Sequence, residues 1–224
     1  MRYAELHCLS NFTFLRGASR AEELIARAVA LGYEALAITD ECSVAGVVRA
    51  HTALKELRET QPATSLRLII GAELRLADGP MLVALATNRA GYGQLCRLIT
   101  RGRRAAEKGR YRLVRDEVAE LLRPGGCLLL WLPSGAAVAD AAALPDVALE
   151  TARWLQQHFA GVSWIAVELL RDGHERARLE LLTRLAAATG LPRVAAGDVH
   201  MHVRERRRLQ DALTAIRHNT TLAE

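Results

Sequence analysis

The chain has 224 residues, half of them hydrophobic and a quarter charged, with a formal net charge of +5; that describes one globular domain with a sizeable core. No apolar run reaches the roughly 18 residues of a membrane span, and the N-terminus lacks a basic-then-apolar signal pattern, so the reading is cytoplasmic with no membrane partner. The four cysteines, Cys8, Cys42, Cys96 and Cys127, stand singly without a CxxC pair, which argues against a disulfide framework or a cysteine zinc site.

A first strand is predicted over 2–8. Ser19-Arg20-Ala21-Glu22 fits a capping box and predicts a helix from Ser19 to about 31, closed by Gly32. A short buried strand covers 35–39, and a helix covers 43–59, ending before Pro62. Two apolar β-like runs, 67–76 and 81–87, are separated by Ala77-Asp78-Gly79-Pro80, turn chemistry that makes a hairpin or a local irregularity. Helices follow over 92–106 and 116–122. Pro124-Gly125-Gly126 introduces a strand over 127–132, stopped by Pro133. The alanine-rich 134–144 is expected as a surface excursion. Asp146 is placed as the cap of a helix to 159, then come a strand over 162–169 and a helix over 174–189 closed by Gly190. A strand over 193–196 and a helix over 203–217 end the chain.

This gives about seven strands with helices between most of them. Repeated βα units imply parallel strands joined by right-handed crossovers. Seven such units favour a closed barrel, although the pattern by itself also admits an open sheet. There is no internal repeat and no linker, so 1–224 reads as a single domain.

Two basic runs stand out: Arg101, Arg103 and Arg104, continued by Lys108, Arg110, Arg112 and Arg115, and then Arg204 with Arg206, Arg207 and Arg208. A nucleic-acid surface is one reading; a solvated helix face or docking surface is the other. The lack of interleaved aromatic stacking platforms favours the second.

Polar, metal-capable residues collect where the apolar runs stop. His7, Glu41, Glu73, Asp198 and His200 lie at or just past the ends of predicted strands one, two, three and seven. In a barrel the first and last strands are neighbours, and active sites are built at that edge. Imidazoles and carboxylates together bind divalent metals. Equally, five polar residues at strand ends are satisfied by loop backbone. His202 continues the alternation of Asp198 and His200 but reads as a helix cap or a solvent contact. His51, His158 and the turn Asp172-Gly173-His174 have plain structural readings, and Cys8 should face away from His7.

The motifs Glu5-Leu6-His7-Cys8-Leu9-Ser10-Asn11-Phe12, Ala37-Ile38-Thr39-Asp40-Glu41-Cys42-Ser43-Val44-Ala45-Gly46, Ile70-Gly71-Ala72-Glu73, Arg89-Ala90-Gly91-Tyr92 and Gly197-Asp198-Val199-His200 occur in one order over the whole chain. Together they resemble the PHP (polymerase and histidinol phosphatase) domain that opens bacterial C-family DNA polymerases, in its error-prone branch. The resemblance implies an α/β fold, a distorted seven-stranded (β/α) barrel, with up to three metals at its mouth. It implies that His7 corresponds to the first histidine of a His-x-His, Glu73 to a metal-bridging glutamate, and Asp198 and His200 to a closing Asp-x-His. It also exposes departures. Leu9 replaces the second histidine, Arg16 an aspartate or histidine, Glu41 the histidine of Asp-His-Gly, and Cys42 its glycine. Two further ligand positions fall at Met81 and Pro133.

Leu and Met offer no useful lone pair to a hard divalent ion, and Arg16 brings a fixed positive charge. The expectation is therefore a degenerate centre holding no ion, or one weakly bound divalent metal on His7, Glu73 and Asp198. A guanidinium beside Glu41, Glu73 or Asp198 would neutralise a carboxylate by ion pairing instead. By resemblance the chain is the N-terminal fragment of a much longer error-prone polymerase acting in damage-induced translesion synthesis. Its partners are then the rest of the polymerase chain, accessory proteins of mutagenic repair, and DNA through the full-length enzyme, whose polymerase domain uses Mg. The alternative is an active metal-dependent phosphoesterase or 3′–5′ exonuclease on the same scaffold.

Overall fold

In a computed structural model of the chain, the described residues are 3–122, 125–133 and 144–222. They carry seven strands whose neighbours in the sheet follow chain order from first to last. The chain forms two compact units, 1–72 with 198–224, and 73–197. The cuts fall inside the third strand and just after Gly197.

In the first unit, β1 (Ala4–Glu5) and β2 (Ala35–Ile38) run parallel, with Ala4 opposite Ala35. β2 runs parallel to β3 (Arg67–Arg75), from Ala35 opposite Arg67 to Ile38 opposite Ile70. All four residues of β2 are buried, as expected of a parallel strand covered on both faces. α1 (Ala21–Ala30) and α2 (Ala45–Thr60) supply one cover. Leu24, Ile25 and Ala28 of α1 meet Val47, Ala50 and Leu54 of α2 and the strand residues Leu36 and Ile38 in one apolar cluster. Cys8 belongs to the same cluster, so it packs toward the helices. Residues 198–202 return to this unit. There a parallel bridge joins Cys8 to Val199, and a 3-10 turn over Arg204–Arg206 leads into the last helix, which spans Arg207–His218.

The second unit begins with the end of β3, which turns into β4 (Met81–Ala86). Leu76 N donates to Pro80 O at 3.1 Å across the Ala77–Pro80 turn, so the hairpin alternative holds. β4 consequently runs antiparallel to β5 (Cys127–Leu132), from Met81 opposite Leu132 to Ala86 opposite Cys127. The all-parallel expectation fails at this strand, because a tight turn leaves no crossover helix to bring the chain back in the same direction. β5, β6 (Ser163–Val167) and β7 (Arg193–Ala195) resume parallel pairing. Between them lie α3 (Arg89–Arg104), α4 (Arg115–Leu121), α5 (Asp146–Phe159) and α6 (Glu175–Thr189); the last helix of the chain is then α7.

Helix starts shift from expectation by one to four residues, as where α2 begins at Ala45 and α7 at Arg207, and three of the shifts involve the caps. α1 begins one residue later than the sequence suggests: Arg20 is the N-cap, and its backbone N–H donates to Glu23 Oε2 at 2.8 Å, while Ser19 is engaged elsewhere. α3 begins at Arg89 because the Asn88 side chain accepts from Gly91 N at 2.9 Å, an N-cap that extends the helix by a turn. Asp146 is the first helical residue of α5 rather than its cap, which is Pro145. Gly32 and Gly190 take positive φ at helix ends as expected. The surface excursion expected over 134–144 lies, apart from Leu144, outside the described residues.

Candidate functional site

The centre of the first unit is set by the bridge between the segment after β1 and the segment after β7. Val199 N donates to His7 O at 2.9 Å, and Leu9 N donates to Val199 O at 2.8 Å. Extended backbone alternates its side chains, so with Cys8 packed toward the helices, His7 and Leu9 face the other way. His7 is fully buried. Its Nδ1 lies 3.6 Å from Asp198 Oδ1, and His200 Nε2 lies 3.0 Å from the same oxygen. The far nitrogen of His200, Nδ1, is 3.3 Å from Gln210 Nε2 on α7. Asp198 reaches this position with φ of +46°, a left-handed conformation that aspartate tolerates better than most residues and that is common at functional sites. The structure thus brings together His7, Asp198 and His200. Leu9, also fully buried, contributes only carbon.

The loops after β1 and β2 are tied by a residue that sequence reasoning did not single out. Asp40 is fully buried and accepts three hydrogen bonds: from Ser10 N at 2.8 Å, Ser10 Oγ at 2.7 Å and Thr13 Oγ1 at 2.7 Å. Burial raises the Asp40 carboxyl above the ordinary aspartate value, and these hydrogen bonds partly offset the rise. Glu41 N donates to Thr13 Oγ1 at 3.0 Å. Cys42, at the position where a glycine was expected, has φ of +45°, so the backbone keeps a glycine-like turn without the glycine. A Cβ added at Gly46 would sit 2.4 Å from Asp40 Oδ2 and 2.6 Å from Ser10 Oγ, so this close approach requires glycine. The signal that could have found Asp40 was its place directly after the buried run Ala35–Thr39, with Ser10 and Thr13 after the preceding strand.

That tie carries Arg16 to Glu41. Arg16 is 8% exposed, and its Nη1 lies 2.8 Å from Glu41 Oε2. Of the three carboxylates considered for this guanidinium, Glu41 is therefore a partner. A carboxylate oxygen held this way is committed to a cation supplied by the protein.

In the second unit Glu73, on β3, is fully buried. Met81 on β4 accepts a hydrogen bond at its Sδ from Arg75 Nη2 at 3.4 Å, and Pro133 directly follows β5. His202, read as a cap or solvent residue, instead places Nδ1 2.7 Å from Ser19 Oγ, while its backbone N–H donates to the same oxygen at 2.9 Å. The arginine runs are partly neutralised: Arg101 pairs with Glu120 at 2.7 Å, Arg206 with Glu23, and Arg207 with Asp211 at 3.2 Å. Arg103 lies over the Tyr111 ring at 5.3 Å, so the first run does carry one interleaved aromatic, contrary to the sequence reading. Arg104 and Arg208 are exposed.

A seven-stranded α/β sheet with helices between most strands, and a histidine–carboxylate cluster past the ends of its first and last strands, defines an α/β scaffold with a metal-capable edge. The chain belongs to the PHP domain family, whose model matches residues 5–178. Two solved structures share its fold, the distorted seven-stranded (β/α) barrel. An amidohydrolase from Chromobacterium violaceum, with bound sulfate and no metal, is 14% identical with a TM-score of 0.64, over 94% of this chain and 96% of that one. A protein from Bifidobacterium adolescentis that bears the name of a metal-dependent phosphoesterase is 17% identical with a TM-score of 0.57, over 95% and 96%. Among curated proteins, the chain is 52% identical to the error-prone DNA polymerases of Azoarcus sp. strain BH72 and Pseudomonas aeruginosa, and 54% identical to that of Methylococcus capsulatus. Each match covers 99% of this chain, which spans only 20–22% of the length of those relatives. Among the described residues no helix is long and apolar enough to cross a membrane.

Proposed function

We propose that this chain is the N-terminal PHP domain of a cytoplasmic error-prone DNA polymerase acting in damage-induced, translesion synthesis, and that its own metal centre is degenerate. Identity above 50% to polymerases five times its length supports the first part. The observation that carries the second is Arg16, a buried guanidinium 2.8 Å from Glu41. Hydrolysis by two or three ions needs adjacent sites filled by lone-pair donors. Here Leu9 offers carbon, Arg16 offers positive charge, and Met81 offers a soft thioether already engaged by Arg75. A multi-ion centre does not fit that donor set. His7 and Asp198, with His200 beside Asp198, offer donors for one divalent ion at most. Bound there, the ion would act as a Lewis acid without a second ion to clamp the opposite oxygen of a displacement.

The domain then serves structure and docking for the rest of the polymerase, its accessory repair proteins and DNA, while nucleotidyl transfer with Mg belongs to another part of the long chain. Elemental analysis and hydrolysis assays test this. The purified domain should hold at most one ion and should cleave neither single-stranded DNA nor simple phosphomonoesters with zinc, manganese or magnesium. Two or three bound ions, or metal-dependent cleavage abolished by His7→Ala or Asp198→Ala, would overturn the inactive reading. The outcome would then favour an active phosphoesterase or 3′–5′ exonuclease, the reading for which the surviving His7–Asp198–His200 cluster speaks.

A further inference from the structure

α7 is an amphipathic helix whose apolar stripe is only partly covered. Leu209, Ala212, Leu213 and Ile216 recur at the i, i+3, i+4, i+7 spacing of one helical face. Such a stripe normally faces a core, yet among the described residues no residue of α7 is buried, and Ile216 is 64% exposed. The stripe continues into a groove of about 330 Å³ that Leu209 and Leu213 share with Phe14, Leu15 and Ala18 of the loop after β1. Phe14, at its edge, is 82% exposed. Single exposed apolar residues need no explanation. A helix stripe aligned with a groove and an exposed phenylalanine does, because contiguous patches of this kind mark contact surfaces.

The surrounding charge selects the occupant. Between residues 204 and 218 five arginines accompany Glu205 and Asp211. At about 100° per residue, Arg208 lies on one flank of the stripe and Arg217 on the other, both exposed. The Arg207–Asp211 pair sits on the opposite side of the helix. A second copy of the same face would oppose arginine to arginine. A segment with apolar anchors and acidic flanks would match both features. We propose that the stripe of α7 and the Phe14 groove dock an acidic amphipathic segment of the polymerase chain, drawn from the four-fifths of its relatives' length that this chain does not span. The inference rests on the polymerase reading above and adds the surface through which the domain is held.

Hydrogen–deuterium exchange tests it, comparing the 224-residue chain with the full-length polymerase. Amides of 207–218 should exchange at least tenfold more slowly in the full-length protein. There, Ile216→Glu, or Arg208→Glu with Arg217→Glu, should return them to the rates of the short chain. All three positions are exposed, so circular dichroism should show unchanged helix content and separate lost docking from lost folding. Equal exchange rates in both proteins, with primer extension intact, would overturn the docking surface alone. A full-length protein that extends no primer would overturn the polymerase reading and the docking with it. Concentration-dependent dimerisation of the short chain that protects 207–218, or its binding to anionic lipid vesicles through these residues, would replace the proposed occupant and refute the inference.

Discussion

Removing the Arg16 guanidinium should destabilise the fold out of proportion to a surface ion pair. Exposed pairs contribute about 0–1 kcal/mol, whereas breaking a buried pair costs about 3–5 kcal/mol because a charge is left without compensation. The Arg16 side chain is 9% exposed and that of Glu41 21%, so water recovers part of the loss on the glutamate side. The expected cost of Arg16→Ala is therefore about 2–3 kcal/mol, between the two limits. For a chain of this size that corresponds to a melting temperature lower by roughly 4–12 °C. The assay is a double-mutant cycle by urea denaturation with Arg16→Met, Glu41→Leu and the combination. Each single variant should lose stability. The apolar pair should recover most of it, since well-packed apolar replacements of a buried ion pair are often neutral, giving a coupling of about 1–3 kcal/mol. Raising the salt to about 0.5 M should change the coupling little, because buried pairs are weakly screened. Strictly additive effects, or single variants within about 0.5 kcal/mol of wild type, would refute the idea that Arg16 compensates a carboxylate of this centre.

Gly46→Ala should cost about 1–3 kcal/mol, because its methyl group would sit 2.4 Å from Asp40 Oδ2; denaturant midpoints check this, and Gly93→Ala, where the added carbon meets nothing, is the control. Asp40 gives a pH signature: its folded carboxyl lies above the ordinary 3.8, so the native state holds the proton more tightly than the unfolded chain. Its contribution to stability is therefore greatest below 3.8 and is lost as pH rises through the elevated value; relative to Asp40→Asn, the wild type should show that extra negative slope in urea melts across the acid range, and identical slopes would contradict it. Burial pushes the Cys127 thiol up to about 11, and Cys8 is raised for the same leading reason. Iodoacetamide at pH 8 should accordingly label half-buried Cys96 first and reach Cys8 and Cys127 only on unfolding, as read by mass spectrometry.

Much of the fold was legible because apolar runs and turn residues agree locally. Cys127–Leu132 and Ala35–Ile38 read as strands from composition, and Gly32 and Gly190 marked helix ends by the one conformation that glycine adopts freely. Direction was less legible. The Asp78-Gly79-Pro80 turn signalled a hairpin, yet βα repetition argued for parallel strands everywhere, and the local signal was the correct one at β4. The cap of α1 was misplaced by one residue because Ser19 and Glu22 satisfy the same spacing rule as Arg20 and Glu23, and only the tertiary contact of Ser19 with His202, 183 positions away, distinguishes them. His7, Asp198 and His200 were found by their positions past the strand ends. Asp40 was overlooked because its importance lies in three donors from another loop, which no local pattern displays.

The bridge between Cys8 and Val199 has a consequence for biosynthesis. The first unit is assembled from two separate stretches, 1–72 and 198–224, whereas 73–197 is one continuous stretch. On the ribosome the residues between β1 and α1 emerge with their later partners unmade: Leu9 N–H must wait for Val199, Ala18 N–H for His200 and Ser19 for His202. Domains usually complete in the order of synthesis, but here residues 1–72, made before 73–197, need residues made after them. Closing it joins residues about 190 positions apart, at an entropic cost that grows only logarithmically with that separation. The delay, more than the cost, sets the risk. Until residue 202 has left the exit tunnel, the unpaired edge after β1 stands open to other chains, and nascent-chain arrest before and after that residue should show the change as a step in protease resistance of the first 72 residues.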